Sequence, residues 1–186
     1  MVSEKIQSLD QLLEVLPQCS GSDYVDIAKD MELNAEDLLP YAFWSKEFYT
    51  RNCLARTDDY ELLLLCWEPG QETPVHGHGG QECWVYLVQG LIEEFRYDLE
   101  EEPAIQLNNK QRVLLRESKL SYMNDDMGLH SLKNISEGRA MTLHLYMNPI
   151  DKCRIYDPAI KELNWLKTEY HSYKGKALID GMNKST

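Results

Sequence analysis

From about Phe48 onward, the sequence consists of short apolar runs separated by Gly, Pro, Asn and Asp residues. Such runs are rich in leucine, β-branched and aromatic residues, which is typical of strands. The predicted strands cover 60–67, 82–89, 91–97, 105–107, 112–115, 118–123, 130–133 and 140–147. Many short strands at this spacing predict a mainly β fold, an antiparallel β-barrel or jelly-roll-like sandwich, over residues 46–175.

The first 45 residues have a different pattern, which predicts helices. Ser8-Leu9-Asp10-Gln11 resembles a capping box ahead of an apolar run, and two further helices are expected from Ser22 to Met31 and from Asn34. Residues 1–45 are therefore predicted to form a short helical segment beside the strands.

The chain length favours a single domain. There are 186 residues, with no internal repeat and no obvious linker, so we expect one domain over residues 1–186. Residues 176–186 show no clear periodicity, and we expect them to form a frayed tail.

Composition excludes several classes of function. The net charge of -12 argues against a general affinity for nucleic acid or for anionic membranes. The sequence contains no run of ~18 apolar residues that would span a bilayer. The N-terminal residues are too acidic for a signal peptide, and the five cysteines form no CxxC pair, so we expect a cytoplasmic protein without a disulfide framework. We also expect a monomer.

The stretch PVHGHGGQEC, residues 74–83, carries the strongest chemical signal. In an extended segment, residues i and i+2 point to the same side, so His76 and His78 can reach one ion. Gly77, Gly79 and Gly80 allow the backbone to bend around that ion. Two solvated histidines in a glycine-rich surface loop are the alternative.

The surrounding spacing resembles the cupin family. Gly70-x5-His76-x-His78-x3-Glu82, ending in Gly90, is similar to the first cupin motif, and His130-x3-Asn134 after Gly128 is similar to the second. The resemblance implies that His130 is a third metal ligand. Three imidazoles suit iron, zinc, copper or nickel.

Two adjacent residues compete for the glutamate position of that motif. Glu82 satisfies the three-residue spacing from His78, whereas Cys83 satisfies a four-residue spacing and the distance to Gly90. Adjacent strand residues face opposite sides, and Cys83, Val85 and Leu87 form the more apolar side. We therefore expect Cys83 to point inward and Glu82 to point outward or lie at the rim.

Within the cupins, the sequence resembles the thiol dioxygenases of the cysteine dioxygenase type I family. The resemblance extends from about Tyr49 to Tyr173 and rests on these landmarks: Tyr49-Thr50-Arg51-Asn52, Leu65-Cys66-Trp67, His76-Gly77-His78, Gly128-Leu129-His130 and His144-Leu145-Tyr146. It implies a mononuclear Fe(II) bound by His76, His78 and His130. It also implies oxidation of L-cysteine by O2 to cysteine sulfinate, with both oxygen atoms entering the product.

The same resemblance implies roles for the other site residues. Arg51 would bind the substrate carboxylate, with Tyr49 as a hydrogen-bonding helper. His144 would orient the Tyr146 phenol toward the substrate and bound oxygen, and Thr142 retains the hydroxyl that many relatives provide as serine. Cys83 and Tyr146 would be joined by a thioether bond, although a buried, unreacted thiol is the alternative.

Other enzymes and binding proteins compete with this interpretation. One alternative is a dioxygenase for another small thiol such as 3-mercaptopropionate, although Arg51 favours cysteine. A sugar isomerase or a non-dioxygenase metal cupin is another, and Glu82 as a ligand would support an isomerase.

Overall fold

The computed structural model of the protein describes residues 5–100, 105–180 and 182–184, and these residues form a mainly β structure. The helices are α1 (Leu9–Val15), α2 (Asp23–Asp30) and α3 (Ala35–Leu38). The strands are β1 (Phe43–Trp44), β2 (Thr50–Arg56), β3 (Tyr60–Trp67), β4 (Glu82–Gln89), β5 (Leu91–Glu100), β6 (Gln106–Arg116), β7 (Leu120–Met123), β8 (Leu129–Asn134), β9 (Ala140–Met147), β10 (Lys152–Asp157), β11 (Glu162–Lys167), β12 (Ser172–Tyr173), β13 (Lys176–Ala177) and β14 (Asn183–Lys184).

Two sheets provide the framework of the site. The larger has the strand order β13-β12-β2-β3-β9-β4-β7, and the smaller has the order β6-β5-β8. Isolated bridges from His76 to His130 and from Glu72 to Lys133 attach the loop before β4 to the smaller sheet. In the described residues this arrangement is jelly-roll-like rather than a continuous closed barrel, and β12 pairs with β2 in parallel.

The central strand β3 is buried along its whole length, which explains its leucine-rich sequence. One side of the sheet packs against the helical segment, where Leu62, Leu64, Leu143 and Leu145 meet apolar helix residues such as Leu12. The other side faces a second cluster that also contains Cys83 and Tyr146. The N-terminal helices therefore cover one side of the sheet and leave the other for the site.

Most of the predicted elements are confirmed. Ser8 caps α1 by accepting a hydrogen bond from the backbone N–H of Gln11, and α2 lies within the predicted range. The two short strands predicted over 105–107 and 112–115 are one strand, β6, because it pairs with β5 throughout.

The C-terminal segment differs from the predicted frayed tail. Lys176–Ala177 pairs with Ser172–Tyr173, and Asn183–Lys184 pairs with Phe43–Trp44. The partner of Asn183–Lys184 lies about 140 positions earlier in the sequence, so local periodicity gives no sign of that pairing. The single-domain boundaries remain a prediction. Among the described residues, no helix has the length and apolar character needed to span a membrane.

Candidate active site

Three predicted ligands meet in the interior. His76 and His78 lie in the loop before β4, and His130 lies on β8, 52 residues after His78. One ligating atom from each lies within 4.8 Å of the other two, and the Nε2 atoms of His78 and His130 are 3.1 Å apart. The antiparallel bridge between the backbones of His76 and His130 fixes this convergence.

Hydrogen bonds to Nδ1 leave Nε2 available on two of these rings. Nδ1 of His76 donates to the Pro74 carbonyl at 2.9 Å, because that carbonyl can only accept. Nδ1 of His130 lies 2.9 Å from Oε1 of Glu94, a carboxylate that fixes the ring orientation. Such partners direct the lone pair on Nε2 toward a metal.

Glu94 is a buried carboxylate that the sequence analysis missed. Burial alone would raise its pKa, but hydrogen bonds with His130, Arg96 and Ser121 lower the pKa of Glu94 to about 2. Its Oε2 lies 3.1 Å from Arg96 and 2.7 Å from Ser121. Glu94 therefore remains ionised and can hold the His130 ring in its orientation through the contact with Nδ1.

The electrostatic environment keeps two of the imidazoles neutral. Burial and the neighbouring His130 ring lower the pKa of His76 to about 3. The same causes lower the pKa of His78 well below its usual value. A metal ligand must be the neutral imidazole, so three histidines in this geometry fit a divalent transition metal.

The glycines of the loop permit a tight clamp by Asp125. The carboxylate of Asp125 accepts hydrogen bonds from the backbone N–H groups of His78 and Gly80, at 2.5 and 2.7 Å. A Cβ on Gly77 would lie 3.0 Å from Oδ1 of Asp125, and one on Gly79 would lie 2.6 Å from a carbonyl oxygen. Side chains at these glycines would therefore displace the His78 backbone.

The competition between Glu82 and Cys83 is resolved by burial. Cys83 is fully buried in the same cluster as Val85 and Leu87, whereas Glu82 is half-buried and interacts with Tyr122. The inward orientation of Cys83 is therefore confirmed. On the opposite side of the strand, Trp84 and Tyr86 pack against the helical segment rather than solvent.

Cys83 and Tyr146 are direct cross-strand neighbours on β4 and β9. The two side chains interact, and burial raises the pKa of the Cys83 thiol and of the Tyr146 phenol. The structure thus brings a neutral thiol and a neutral phenol together, as the resemblance implies.

A chain of polar groups lies beside this pair. Thr142 Oγ1 accepts a hydrogen bond from Nε1 of Trp67 at 2.9 Å and lies 2.9 Å from Nε2 of His144. The other ring nitrogen of His144 is 3.9 Å from Sγ of Cys83. The rings of His144 and Tyr146 are nearly parallel, with centroids 6.2 Å apart, so their contact is ring packing.

Arg51 faces a cavity of about 440 Å³ beside the histidines. The guanidinium interacts with the phenol of Tyr146, but its Nε and Nη2 atoms are buried without a hydrogen-bond partner in the described chain. Burial opposes the charge, yet Tyr146, Tyr49 and Glu61 outweigh it and raise the pKa of Arg51. Arg51 is therefore a cation whose Nε and Nη2 groups can still donate hydrogen bonds.

Two aromatic residues support that cation. Tyr49 stacks on Trp67, with ring centroids 4.7 Å apart, and lines the cavity. Nδ1 of His171 accepts a hydrogen bond from the backbone N–H of Arg51 at 2.8 Å. The cavity thus combines a cation, a phenol and an imidazole from the histidine cluster on one wall.

The fold and this site together define a class: a cupin with a candidate centre for a divalent metal. The family model for cysteine dioxygenase type I matches residues 1–159. The chain belongs to the cysteine dioxygenase type I family.

Curated relatives agree with that assignment. The chain is 30% identical over 179 residues to cysteine dioxygenase type 1 of Homo sapiens and 29% identical over 179 residues to that of Rattus norvegicus, covering 92% of this chain and 90% of each relative. Among solved structures, an uncharacterized conserved protein with a double-stranded β-helix domain from Klebsiella pneumoniae has a TM-score of 0.47 at 14% identity, covering 69% of this chain and 86% of that one.

Proposed function

We propose that this chain is an Fe(II)-dependent thiol dioxygenase that oxidises L-cysteine with O2 to cysteine sulfinate. The observation that carries the proposal is the cavity with His76 on its wall and the Arg51 guanidinium nearby, holding two unsatisfied buried nitrogens. A substrate with a metal-binding thiol and a carboxylate matches both ends of this arrangement. The family assignment supports the same reaction class.

His76, His78 and His130 would hold the iron, which when bound would supply Lewis acidity toward the thiol and redox activation of O2. The three ligands are neutral, so no protein carboxylate reduces the charge of the metal. Glu94 and the Pro74 carbonyl keep two of the rings oriented before the metal arrives.

Arg51 would bind the substrate carboxylate. A guanidinium offers a fork of donors that matches a carboxylate, and burial strengthens this pairing. Burying both nitrogens without a partner has a cost that a bound carboxylate relieves. Tyr49 closes the cavity beside Arg51 and would help to orient the same group.

Tyr146 would donate its phenolic proton as a hydrogen bond to developing charge on oxygen. Its raised pKa keeps that proton in place at neutral pH. We further propose that Cys83 and Tyr146 form a thioether bond, in which Sγ bonds to a ring carbon and two hydrogen atoms are lost to O2 as oxidant. The direct pairing of the two residues across β4 and β9 and the interaction between their side chains support this.

The substrate is tested by oxygen uptake. Protein loaded anaerobically with Fe(II) is mixed with L-cysteine, 3-mercaptopropionate or cysteamine. We expect L-cysteine to be oxidised fastest, with cysteine sulfinate as product. Preference for 3-mercaptopropionate would identify the alternative thiol dioxygenase, and no uptake with any of the thiols would favour a non-dioxygenase cupin.

The carboxylate assignment is tested by Arg51→Gln. Loss of a buried charged partner should lower kcat/KM for L-cysteine by about 30-fold or more, equivalent to ~2 kcal/mol. Cysteamine has no carboxylate, so its turnover should change little. Arg116→Gln removes an exposed arginine and serves as the matched control. Equal losses with both thiols would contradict the assignment.

The thioether is tested by intact-protein mass after turnover. We expect the wild-type mass to fall by two hydrogen atoms and the mass of Cys83→Ala to show no such change. A wild-type mass that stays at the value calculated from the sequence would contradict the cross-link but not the dioxygenase proposal.

We also propose that the enzyme is cytoplasmic and monomeric. All five cysteines are free thiols in the structure, which suits a reducing compartment. Light scattering coupled to gel filtration should give a mass near 21.7 kDa, and a dimer mass would contradict the monomer.

A further inference from the structure

A row of four side chains crosses the sheet at the level of the site. Glu61 on β3 pairs with Arg56 on β2 and with Tyr146 on β9, and Tyr146 pairs in turn with Cys83 on β4. Directly paired residues lie on the same side of a sheet, so Glu61 lies beside Tyr146. The mechanism proposed above uses Tyr146 and Cys83 but gives no role to Glu61.

Glu61 is fully buried, and two groups meet its Oε1 atom. The phenol of Tyr170 donates a hydrogen bond to Oε1, and Nη1 of Arg56 lies 3.5 Å from the same atom. Arg56 also donates to the Tyr170 oxygen at 2.6 Å. Removing a carboxylate from water is expensive unless it is paired and hydrogen-bonded, and this cluster satisfies both conditions.

The other oxygen of Glu61 holds a different segment. Oε2 accepts a hydrogen bond from the backbone N–H of Ile150 at 3.3 Å, just after β9 ends. The 148–151 segment is then tied to the segment that carries Tyr170. The backbone N–H of Thr168 donates to the Asp151 carbonyl at 2.9 Å, and Oγ1 of Thr168 donates to the Ile150 carbonyl at 2.5 Å.

The segment held by Tyr170 leads directly to Arg51. His171 follows Tyr170. Nδ1 of the His171 ring accepts a hydrogen bond from the backbone N–H of Arg51, and the backbone N–H of His171 donates to the Arg51 carbonyl at 2.9 Å. Thr168, Glu169 and His171 line the cavity, whereas Glu61 does not. Glu61 therefore lacks access to a substrate but holds the residues that surround Arg51.

We propose that the buried Glu61 and the half-buried Arg56 and Tyr170 form a clasp that positions Arg51 for the substrate carboxylate. Its catalytic consequence rests on the function proposed above, but the clasp itself is a property of the folded chain. Glu61 also opposes the burial cost of the Arg51 charge, because it is one of the groups that favour the charged guanidinium. The clasp thus fixes both the place and the charge of the carboxylate-binding residue.

The test uses Tyr170→Phe and Glu61→Gln in Fe(II)-loaded full-length protein. Tyr170→Phe removes the hydroxyl between Arg56 and Glu61 but keeps the ring that stacks on Tyr173 at 6.3 Å. Tyr173→Phe is the matched control, because it removes a neighbouring hydroxyl outside the clasp. Thermal melting checks that each variant is folded, and Tyr170→Phe keeps the test decisive if Glu61→Gln does not fold.

Hydrogen exchange measures the clasp without any reference to activity. We expect the backbone amides of Arg51, Ile150 and Thr168 to exchange about tenfold faster in both clasp variants and unchanged in Tyr173→Phe. Unchanged exchange at these amides in the folded clasp variants overturns the proposal.

Kinetics then test the consequence for substrate. We expect KM for L-cysteine to rise about fivefold to tenfold while kcat changes less than about twofold, because the interaction affected is substrate binding. KM for cysteamine, which has no carboxylate, should stay unchanged. Equal increases for both thiols overturn the positioning of Arg51. If the wild type oxidises no thiol, the proposed function fails, and the exchange rate of the Arg51 amide alone decides on the clasp.

Discussion

The two sides of β3 and β9 perform different tasks with alternate residues of the same strands. Toward the helices, Leu62, Leu64, Leu143 and Leu145 form a purely apolar contact. Toward the cavity, the same strands present residues that make hydrogen bonds, among them Glu61, Thr142 and His144. The helical segment supplies stability on one side, so that the other side can hold buried polar groups that contribute less to it.

This division predicts whether a mutation affects mainly stability or mainly activity. A methylene lost on the helix side leaves a cavity and lowers stability without a direct effect on the reaction in the site. A polar atom lost on the cavity side changes the orientation of a functional group and has a smaller effect on packing. Substitutions on the two sides should therefore separate stability from activity.

The largest effect is expected for His130, a proposed metal ligand on the cavity side. His130→Ala removes one of three donors, and we expect oxygen uptake with L-cysteine to fall by at least about 1000-fold together with the iron content. Elemental analysis and oxygen uptake measure the two. Ser131→Ala, the next residue on β8, should retain both. Full iron content in His130→Ala would contradict the ligand assignment.

The next effect concerns the helix side. Leu64 is fully buried, and Leu64→Ala should lower the free energy of unfolding by about 2–5 kcal/mol. Turnover per bound iron should stay within about twofold, since Leu64 points away from the cavity. Denaturant titration and oxygen uptake measure these quantities. A large loss of turnover in folded Leu64→Ala would contradict the separation of stability and activity between the two sides of the sheet.

A smaller effect is expected for Glu94, which contacts the proposed metal ligand His130. Glu94→Gln removes the charge that orients His130, and metal affinity should fall by about 10–100-fold. Competition with a chelator measures the affinity. Glu93→Gln changes the neighbouring carboxylate, which pairs with Arg112 near the surface, and should leave affinity unchanged. Equal metal affinities in both variants would contradict a role for Glu94 in metal binding.

The smallest effect tests the hydroxyl between Trp67 and His144. Thr142→Val removes it from a fully buried position and should lower kcat by about fivefold, because one hydrogen bond contributes roughly 1 kcal/mol. Thr142→Ser keeps the hydroxyl and should remain within about twofold of the wild type. Steady-state kinetics measure both, and a Val variant equal to the Ser variant would show that the hydroxyl is dispensable.

Sequence patterns predicted the parts of the site that follow local rules. The His76-x-His78 spacing predicted two candidate ligands, and the parity of Cys83 on its strand predicted an inward thiol. His130 and Arg51 required the resemblance, because nothing in their immediate neighbourhood distinguishes them from ordinary strand residues. Strand positions were predictable for the same local reason, since alternation and turn residues are short-range signals.

The supporting residues could not be found in this way. Glu94 meets His130 across 36 positions, Asp125 meets His78 across 47, and Tyr170 meets Glu61 across 109. The pairing of distant strands creates these contacts, and no local pattern encodes the choice of partner. Buried acids in strands, such as Glu61 in YELLLLCW and Glu94 in LIEEFRY, were the available signal. An acid in an otherwise apolar strand needs a partner in the fold.

The contact between Arg51 and His171 spans 120 positions of the chain, and it has a consequence for how the protein is made. Closing so long a loop is entropically unfavourable and slow, so this wall should be completed late in folding. A ribosome synthesises β2 long before it reaches His171. During that interval the nascent protein can build its leucine-rich sheet, but Arg51 still lacks its hydrogen bond to His171.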